Sequence, residues 1–312
     1  MTITQLHYVL AVAEYKNFTF AAEKCFVTQP TLSMQIQKLE DELGVLMFDR
    51  SKKPIQLTEI GTKIVNQAKN IVNEAERIKD IVEQQKGYIG GEFKIGIIPT
   101  IMPTLLPMFL NTFITKYPKV NLIIEENTTE EIISKLKNGH LDCAIAATPL
   151  EEESLKEIVL YYEPFVAYIP DNHSSAVKKE IEISDLDLDT ILLLQDGHCF
   201  RNGILNLCKN NKFLSQNHFQ IESGSFETLI KLADEGLGIT LLPFLHTLDL
   251  KEKNKKKLRP FVNPKPAREV SLLYSKKELK IHIIDALRES IAGVVRGAIT
   301  FHDVEIISPK VK

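Results

Sequence analysis

From Thr58 to about Gln85 the chain runs without a proline and, after Gly61, without a glycine, so nothing interrupts a helix. Within this stretch Ile64, Ala68, Ile71, Ala75, Ile78 and Val82 recur at alternating spacings of 4 and 3, an a/d heptad seam. Roughly 27 residues at 1.5 Å rise make a rod of about 40 Å. A long rod with one narrow apolar stripe predicts dimerisation with a second copy of the chain. The competing expectation is a helix laid against its own chain's body. Lys86-Gly87-Tyr88-Ile89-Gly90-Gly91 then predicts a hinge. The rod therefore divides the sequence into a small N-terminal and a large C-terminal part.

The N-terminal part reads as three short helices. Leu6, Val9, Leu10 and Ala13 form the stripe of the first, and Thr19 to Cys25 with Ala21-Ala22 the second. After a turn at Phe26-Val27, Thr28 is placed to cap a third helix whose first turn holds Pro30 and whose buried face is Leu32, Ile36, Leu39 and Leu43. Its other face offers Gln29, Pro30, Thr31, Ser33, Gln35 and Lys38, mostly types that read base edges or hold phosphates in a major groove. Gly44 ends this helix. Val45 to Arg50 and Pro54 to Thr58 then predict a hairpin with Arg50, Lys52 and Lys53 at its tip, suited to backbone phosphates.

Charge alone does not single this part out. Residues 1–58 carry Lys or Arg at 16, 24, 38, 50, 52 and 53, and Asp or Glu at 14, 23, 40, 41, 42 and 49. The whole chain, with 38 basic and 41 acidic residues, has a formal net charge of −3. Any nucleic-acid contact must come from a local patch.

At this point the sequence resembles the LysR-type transcriptional regulators. The resemblance rests on Phe18-Thr19-Phe20-Ala21-Ala22-Glu23, Val27-Thr28-Gln29-Pro30-Thr31-Leu32-Ser33, Ile36-Gln37-Lys38-Leu39-Glu40-Asp41-Glu42-Leu43-Gly44 and Leu57-Thr58-Glu59-Ile60-Gly61. It implies a winged helix-turn-helix, with double-stranded promoter DNA and RNA polymerase as partners.

Beyond the hinge, β-branched runs alternate with helical ones: Phe93 to Ile98, a helix from Pro103 to Tyr117, Val120 to Glu125, a helix from Thr129 to Asn138, and Leu141 to Ala146. The pattern returns at Ile191 to Leu194, Phe219 to Glu222, Ile239 to Leu242 and Glu269 to Tyr274, before a final helix near Lys280 to Gly297. Such βαβ order predicts parallel strands with crossover helices. The fold class expected is an α/β sensor of two Rossmann-like lobes, periplasmic-binding-protein-like, preceded by an all-α winged helix-turn-helix domain and a long linker helix. The expected divisions are 1–58 for DNA binding, 59–86 for the linker, 87–91 for the hinge, 92–163 with 268–312 for lobe I, and 164–267 for lobe II with the cysteines. Lys251 to Arg259, with six cations and one Glu, reads as a solvated loop.

Four cysteines in a chain whose N-terminus lacks a basic n-region predict free thiols in a reducing cytoplasm. No apolar run is long enough for a membrane partner. Cys25 and Cys143 read as small buried hydrophobes. Cys199, in Gln195-Asp196-Gly197-His198-Cys199-Phe200-Arg201, falls at the expected start of a helix from Phe200 to Lys209, where the helix dipole, Arg201 and His198 favour thiolate. If the residues up to Cys208 are helical, nine steps separate the two cysteines by roughly 13 Å on opposite faces. A disulfide needs Cα atoms about 4.4 to 6.8 Å apart, so joining them would require unwinding. Incidental structural cysteines remain an alternative. Zinc binding by His198, Cys199 and Cys208 lacks the usual CxxC pair, and no metal or cofactor is expected.

Asp196-Gly197-His198-Cys199 with Cys208, together with Ile98-Pro99-Thr100 and Lys137-Asn138-Gly139-His140-Leu141-Asp142-Cys143, resembles the hydrogen-peroxide-sensing members of the same family. That resemblance implies oxidation of Cys199 by hydrogen peroxide, a Cys199–Cys208 disulfide, and a peroxide pocket including Thr100, Thr129, His198 and Arg201. It further implies a tetramer that activates antioxidant genes and a glutaredoxin- or thioredoxin-type reductant. Asn202 departs from the acidic residue common at that position in the family. The alternatives are a metabolite-responsive LysR-type regulator and, because a recognition helix serves no peroxidase, more remotely a thiol peroxidase.

Overall fold

The computed structural model describes residues 1–85, 89–186, 190–208, 223–299 and 304–309. The chain divides into two compact units, Met1–Tyr88 and Ile89–Lys312.

In the first unit, α1 (Ile3–Tyr15) starts at a capping box in which Thr2 and Gln5 satisfy each other's backbone N–H groups. Next, α2 (Phe18–Lys24) is capped by Asn17, whose Oδ1 accepts from the Thr19 and Phe20 amides at 2.8 and 3.0 Å. Thr28 caps α3 (Gln29–Leu43), with Pro30 in the first turn, where its missing N–H costs nothing, and Gly44 closes the helix at φ 68°. Leu6, Val9, Ala21, Ala22, Leu32, Ile36 and Leu39 form the core as the three stripes predict, but Val12 joins it on α1, where the expected Leu10 and Ala13 are only half-buried. Leu43 does not join it. It stands 41% exposed on the last turn.

The wing strands β1 (Phe48–Asp49) and β2 (Gln56–Leu57) are shorter than expected. The buried Glu40 carboxylate takes the Met47 and Phe48 amides at 2.7 and 3.3 Å, which diverts them from the ladder. Then follows the long helix α4 (Glu59–Gln85). Val65, Ala68 and Val72 on its first half are buried in the core of their own unit, with Ile64 and Ile71 half-buried beside them. This corrects the simple seam: Ala68, 2% exposed, is already covered by its own chain. Ala75 is half-buried, and the stripe emerges at Ile78 and Val82, 65% and 49% exposed.

In the second unit, β3 (Gly91–Ile97), β4 (Val120–Glu126) and β5 (Cys143–Thr148) are parallel and are joined by α5 (Met102–Lys116) and α6 (Thr129–Lys137). The sheet runs β4-β3-β5-β9-β6-β7, with β6 (Leu155–Tyr168) and β9 (Lys265–Ser275) as a long antiparallel pair. Because this pair continues from one hydrophobic core into another, the expected lobe boundaries at 163/164 and 267/268 fall inside unbroken strands. The first core gathers Phe93, Ile95, Phe109, Phe113, Ile145 and Leu272; the second gathers Phe165, Tyr168, Ile204, Leu229 and Leu241. The second lobe is completed by α7 (Cys199–Leu207), α8 (Phe226–Asp234), β7 (Thr240–Pro243), α9 (Phe244–Leu248), α10 (Glu252–Lys255) and β8 (Leu258–Pro260). Finally, α11 (Ile281–Val295) packs on α5, and β10 (Val304–Ile306) pairs with β9.

Several expectations are corrected here. Ile191 to Leu194 makes only a bridge from Ile191 to Ile239 rather than a strand. The basic run Lys251 to Arg259 is not a plain loop: it contains α10 and the start of β8, and Lys257 pairs with Asp234 at 2.7 Å. Cys25 is half-buried rather than buried, whereas Cys143 is fully enclosed in β5. The strand expected at Phe219 to Glu222, the hinge residues 86–88 and the helix end at Lys209 lie outside the described residues.

Candidate functional site

Gly197, at φ 89°, turns the chain so that His198 becomes the N-cap of α7 and Cys199 its first residue. Cys199 is 7% exposed and belongs to the first core, although its helix lies in the second lobe. Its sulfur faces groups from several strands and helices. Burial raises its pKa above the ordinary thiol value of 9.0; the Arg268 guanidinium, the Thr129 hydroxyl and the backbone at Ala147 and Phe200 oppose that rise. The Thr129 hydroxyl lies close enough to favour the thiolate, yet it meets hydrogen-bond geometry with neither the sulfur nor any other described group.

Arg268 is held from three sides. Its Nη1 donates to Thr100 Oγ1 at 2.9 Å and its Nη2 to the Thr100 carbonyl at 3.1 Å. Nε donates to Glu163 Oε2 at 2.8 Å, and the guanidinium lies 5.4 Å from the Phe200 ring centre. Glu163 is itself fixed through Oε1, which accepts the Leu245 amide at 2.8 Å. The family resemblance points to Thr100 and Thr129 but misses Arg268 on β9, which acts on the thiol, and Glu163 on β6, which holds that arginine.

Two expected thiolate stabilisers act differently. Arg201 turns away from the sulfur, donating to the Leu194 carbonyl at 3.1 Å and pairing with Asp196 at 2.7 Å. It braces the loop before α7. Burial pushes the His198 pKa below its ordinary value, against the opposing charge of Glu126, so the imidazole is neutral around pH 7. The cation beside Cys199 is Arg268.

Cys208 caps the other end of α7, 1% exposed in the second core, with its thiol pushed up to about 11 by burial. All four cysteines are free thiols. Nine residues of helix separate Cys199 from Cys208 by roughly 13 Å of rise. Since nucleophilic thiol chemistry runs through the thiolate, alkylation of Cys199 in a Cys208→Ser protein is expected to quicken about ten-fold per pH unit from about pH 7 upward. Stopped-flow rates with iodoacetamide check this. A rate already level below the ordinary thiol value of 9.0 would show that Arg268 outweighs burial.

On the first unit, Gln29, Pro30 and Thr31 are exposed at the start of α3, and Lys38 further along. Met34, which side-chain type alone does not select, is 61% exposed between Pro30 and Lys38 on the same stripe. Ser33 is half-buried. Gln35 is half-buried and its Oε1 accepts from Gln5 Nε2 at 3.3 Å, which ties it to α1. In the wing, Lys52 and Lys53 are exposed, but Arg50 is committed inward. It pairs with buried Glu40 at 2.8 Å and stacks over Phe18, so it fastens the wing to α3 rather than standing free for a phosphate.

Comparison with known proteins agrees with both units. Residues 3–62 match the bacterial regulatory helix-turn-helix protein, lysR family, and residues 86–296 match the LysR substrate binding domain. The chain belongs to the LysR family of bacterial transcriptional regulators. Within that family it is similar to the OxyR proteins. It is 36% identical over 274 residues to the hydrogen peroxide-inducible genes activator of Pectobacterium carotovorum subsp. carotovorum, covering 88% of this chain and 90% of that protein. It is 35% identical to the DNA-binding transcriptional dual regulator OxyR of Escherichia coli (strain K12), covering 88% and 89%. A full-length OxyR variant from Pseudomonas aeruginosa superposes with a TM-score of 0.74 at 36% identity, covering 94% of this chain and 98% of that one. A hydrogen-peroxide-bound OxyR mutant from Corynebacterium glutamicum gives 0.61 at 30%, covering 96% and 97%.

Proposed function

We propose that this regulator senses hydrogen peroxide through Cys199 and Cys208 and activates oxidative-stress genes; the reading is supported by relatives named as activators of hydrogen peroxide-inducible genes. The observation that carries the reading is the placement of two buried thiols at opposite ends of one nine-residue helix, the first of them beside a buried arginine. In the first step the Cys199 thiolate attacks one peroxide oxygen; the O–O bond breaks, the sulfur becomes a sulfenic acid, and the other oxygen leaves as water after taking a proton. Thr100 and Thr129 hydroxyls, with Arg268, are the groups able to hold the peroxide. The Thr129 oxygen is buried without a partner among the described residues, and the Thr100 hydrogen is not donated within them.

In the second step Cys208 attacks the sulfenic sulfur, and a second water leaves. The disulfide has lost two electrons relative to the dithiol, and a glutaredoxin- or thioredoxin-type dithiol returns them. A switch reset by such a reductant belongs in a reducing cytoplasm. No helix among the described residues is long and apolar enough to cross a membrane.

For output, Gln29, Pro30, Thr31, Ser33 and Lys38 on α3, with Lys52 and Lys53 on the wing, meet double-stranded promoter DNA. Ile78 and Val82 are apolar and exposed, and with Ile64, Ile71 and Ala75 they supply the seam of a dimer. Tetramer assembly and RNA polymerase complete the reading. Alkylation mass spectrometry before and after one equivalent of peroxide tests the sensor. The expected result is loss of one thiol pair, Cys199 with Cys208, reversed by a dithiol reductant. Retention of both thiols, or a different pair, overturns it.

A further inference from the structure

We propose that Phe26 is a base-reading residue whose ring packs against the 5-methyl group of a thymine in the operator's major groove. The backbone at Phe26 is a helix stop. The Val27 amide donates to the Ala22 carbonyl at 3.0 Å and the Phe26 amide to the Glu23 carbonyl at 3.1 Å, the paired bonds of a Schellman motif closing α2. The motif places Phe26 at φ 56°, in the left-handed region where glycine is the usual occupant and a bulky side chain is an outlier. The fold receives nothing in return. Phe26 is 95% exposed, and its ring pairs with no aromatic group or cation among the described residues. Phe20, the other exposed phenylalanine among the described residues, packs on Tyr15 at 5.1 Å and under Lys24 at 5.2 Å.

A strained backbone carrying a solvent-facing ring points to a partner outside the chain. Its position names that partner. Phe26 lies two residues before Thr28, the cap of α3, and so next to Gln29, Pro30 and Thr31, the exposed start of the recognition helix. In a major groove the edges of the bases are hydrogen-bonding groups except for the thymine 5-methyl, the one apolar feature a phenyl ring can cover. The inference rests on the DNA-binding role of α3.

The test uses the full-length thiol-form protein and selection from a pool of random duplexes. Wild type is expected to enrich a thymine at one fixed position in each half-site. Phe26→Gly and Phe26→Asn should lose that preference while still enriching the rest of the sequence, and Phe26→Tyr, which keeps the ring, should retain it. Replacing the selected thymine by deoxyuridine removes only the methyl group. It should weaken wild-type binding about four-fold per half-site and leave the Gly and Asn proteins unaffected. The thermal midpoint of Phe26→Gly should be no lower than that of wild type, since glycine relieves the left-handed strain.

Unchanged thymine selection in the variants overturns the proposal, as does indifference of wild type to deoxyuridine. So does weaker binding with the thymine preference intact, which would make Phe26 a sugar or phosphate contact. Normal selection with lost transcriptional activation would assign the ring to a protein partner instead. If wild type enriches no sequence at all, the DNA-binding reading fails, and this inference with it.

Discussion

A Cys199→Ser protein is expected to bind its operator as the thiol form does, yet to form no intramolecular disulfide and to lose the whole peroxide-induced increment of transcription. The substitution is small. Cys199 is nearly buried, serine is close to it in shape, and the Arg268, Glu163 and Thr100 network beside it does not use the sulfur as a partner. What disappears is the nucleophile, because a serine hydroxyl does not ionise near neutral pH. Cys208→Ser separates the chemistry from the rearrangement. Sulfenic acid should still form at Cys199, but nothing then compels α7 to open. The compulsion is geometric: a disulfide holds Cα atoms within about 6.8 Å, and the helix spaces them at roughly twice that. Closing the bond must unwind α7 and draw Ile204, Leu207 and Cys208 from the second core, where they are 1%, 9% and 1% exposed. Each large apolar side chain withdrawn costs about 1.5 to 3 kcal/mol, so oxidation replaces one packing of the lobe with another. Sulfenic-acid trapping, non-reducing mass spectrometry and promoter-reporter assays of the two variants read the three events separately. An undiminished peroxide response in Cys199→Ser would overturn the sensor assignment.

The parts of this molecule that sequence makes legible are those whose partners are near in the chain. The caps at Thr28 and Gly44, the stripe Leu32, Ile36, Leu39, and the order β3-α5-β4-α6-β5 all follow from local spacing. The linker helix is legible as a helix but not in its orientation. Val65, Ala68 and Val72 step by 3 and 4 alongside Ile64, Ala68, Ile71 and Ala75, so two overlapping stripes share one surface and only tertiary packing decides which is covered first. The strand β6 is hidden because Glu157, Glu163 and Pro164 punctuate it and a bulge between Val159 and Tyr161 shifts its alternation by one. Cationic support for Cys199 is attributed to Arg201 because Arg201 is two residues away. Helical geometry instead sends that side chain back to Leu194 and Asp196, and the guanidinium that reaches the sulfur belongs to a residue on β9 paired with one on β6. A charge inside an apolar strand is the only sequence signal Arg268 leaves, and its partner Glu163 lies 105 positions away.

Arg268 should therefore show the largest effect of any substitution outside the cysteines. Arg268→Ala leaves the Glu163 carboxylate buried and without its cation; breaking such a pair from one side costs about 3 to 5 kcal/mol. It also removes the foremost of the groups that hold the Cys199 pKa down against burial, so the thiolate becomes scarcer and sulfenic-acid formation slower. The two losses have different origins and can be separated. Arg268→Met combined with Glu163→Gln replaces the buried ions by a near-neutral pair of similar volume, which should recover most of the stability in urea unfolding. The same double variant should not recover the rate of sulfenic-acid formation at stoichiometric peroxide, measured in a Cys208→Ser background. The Thr100 hydroxyl adds to that deficit, because Arg268 Nη1 occupies one of its lone pairs and leaves its hydrogen to point elsewhere; without the guanidinium the hydroxyl is free to rotate. Recovery of stability and peroxide rate together in the double variant would mean that Arg268 serves the fold alone. Slow oxidation on a restored fold is the outcome expected of an arginine that positions and charges the sensing pocket.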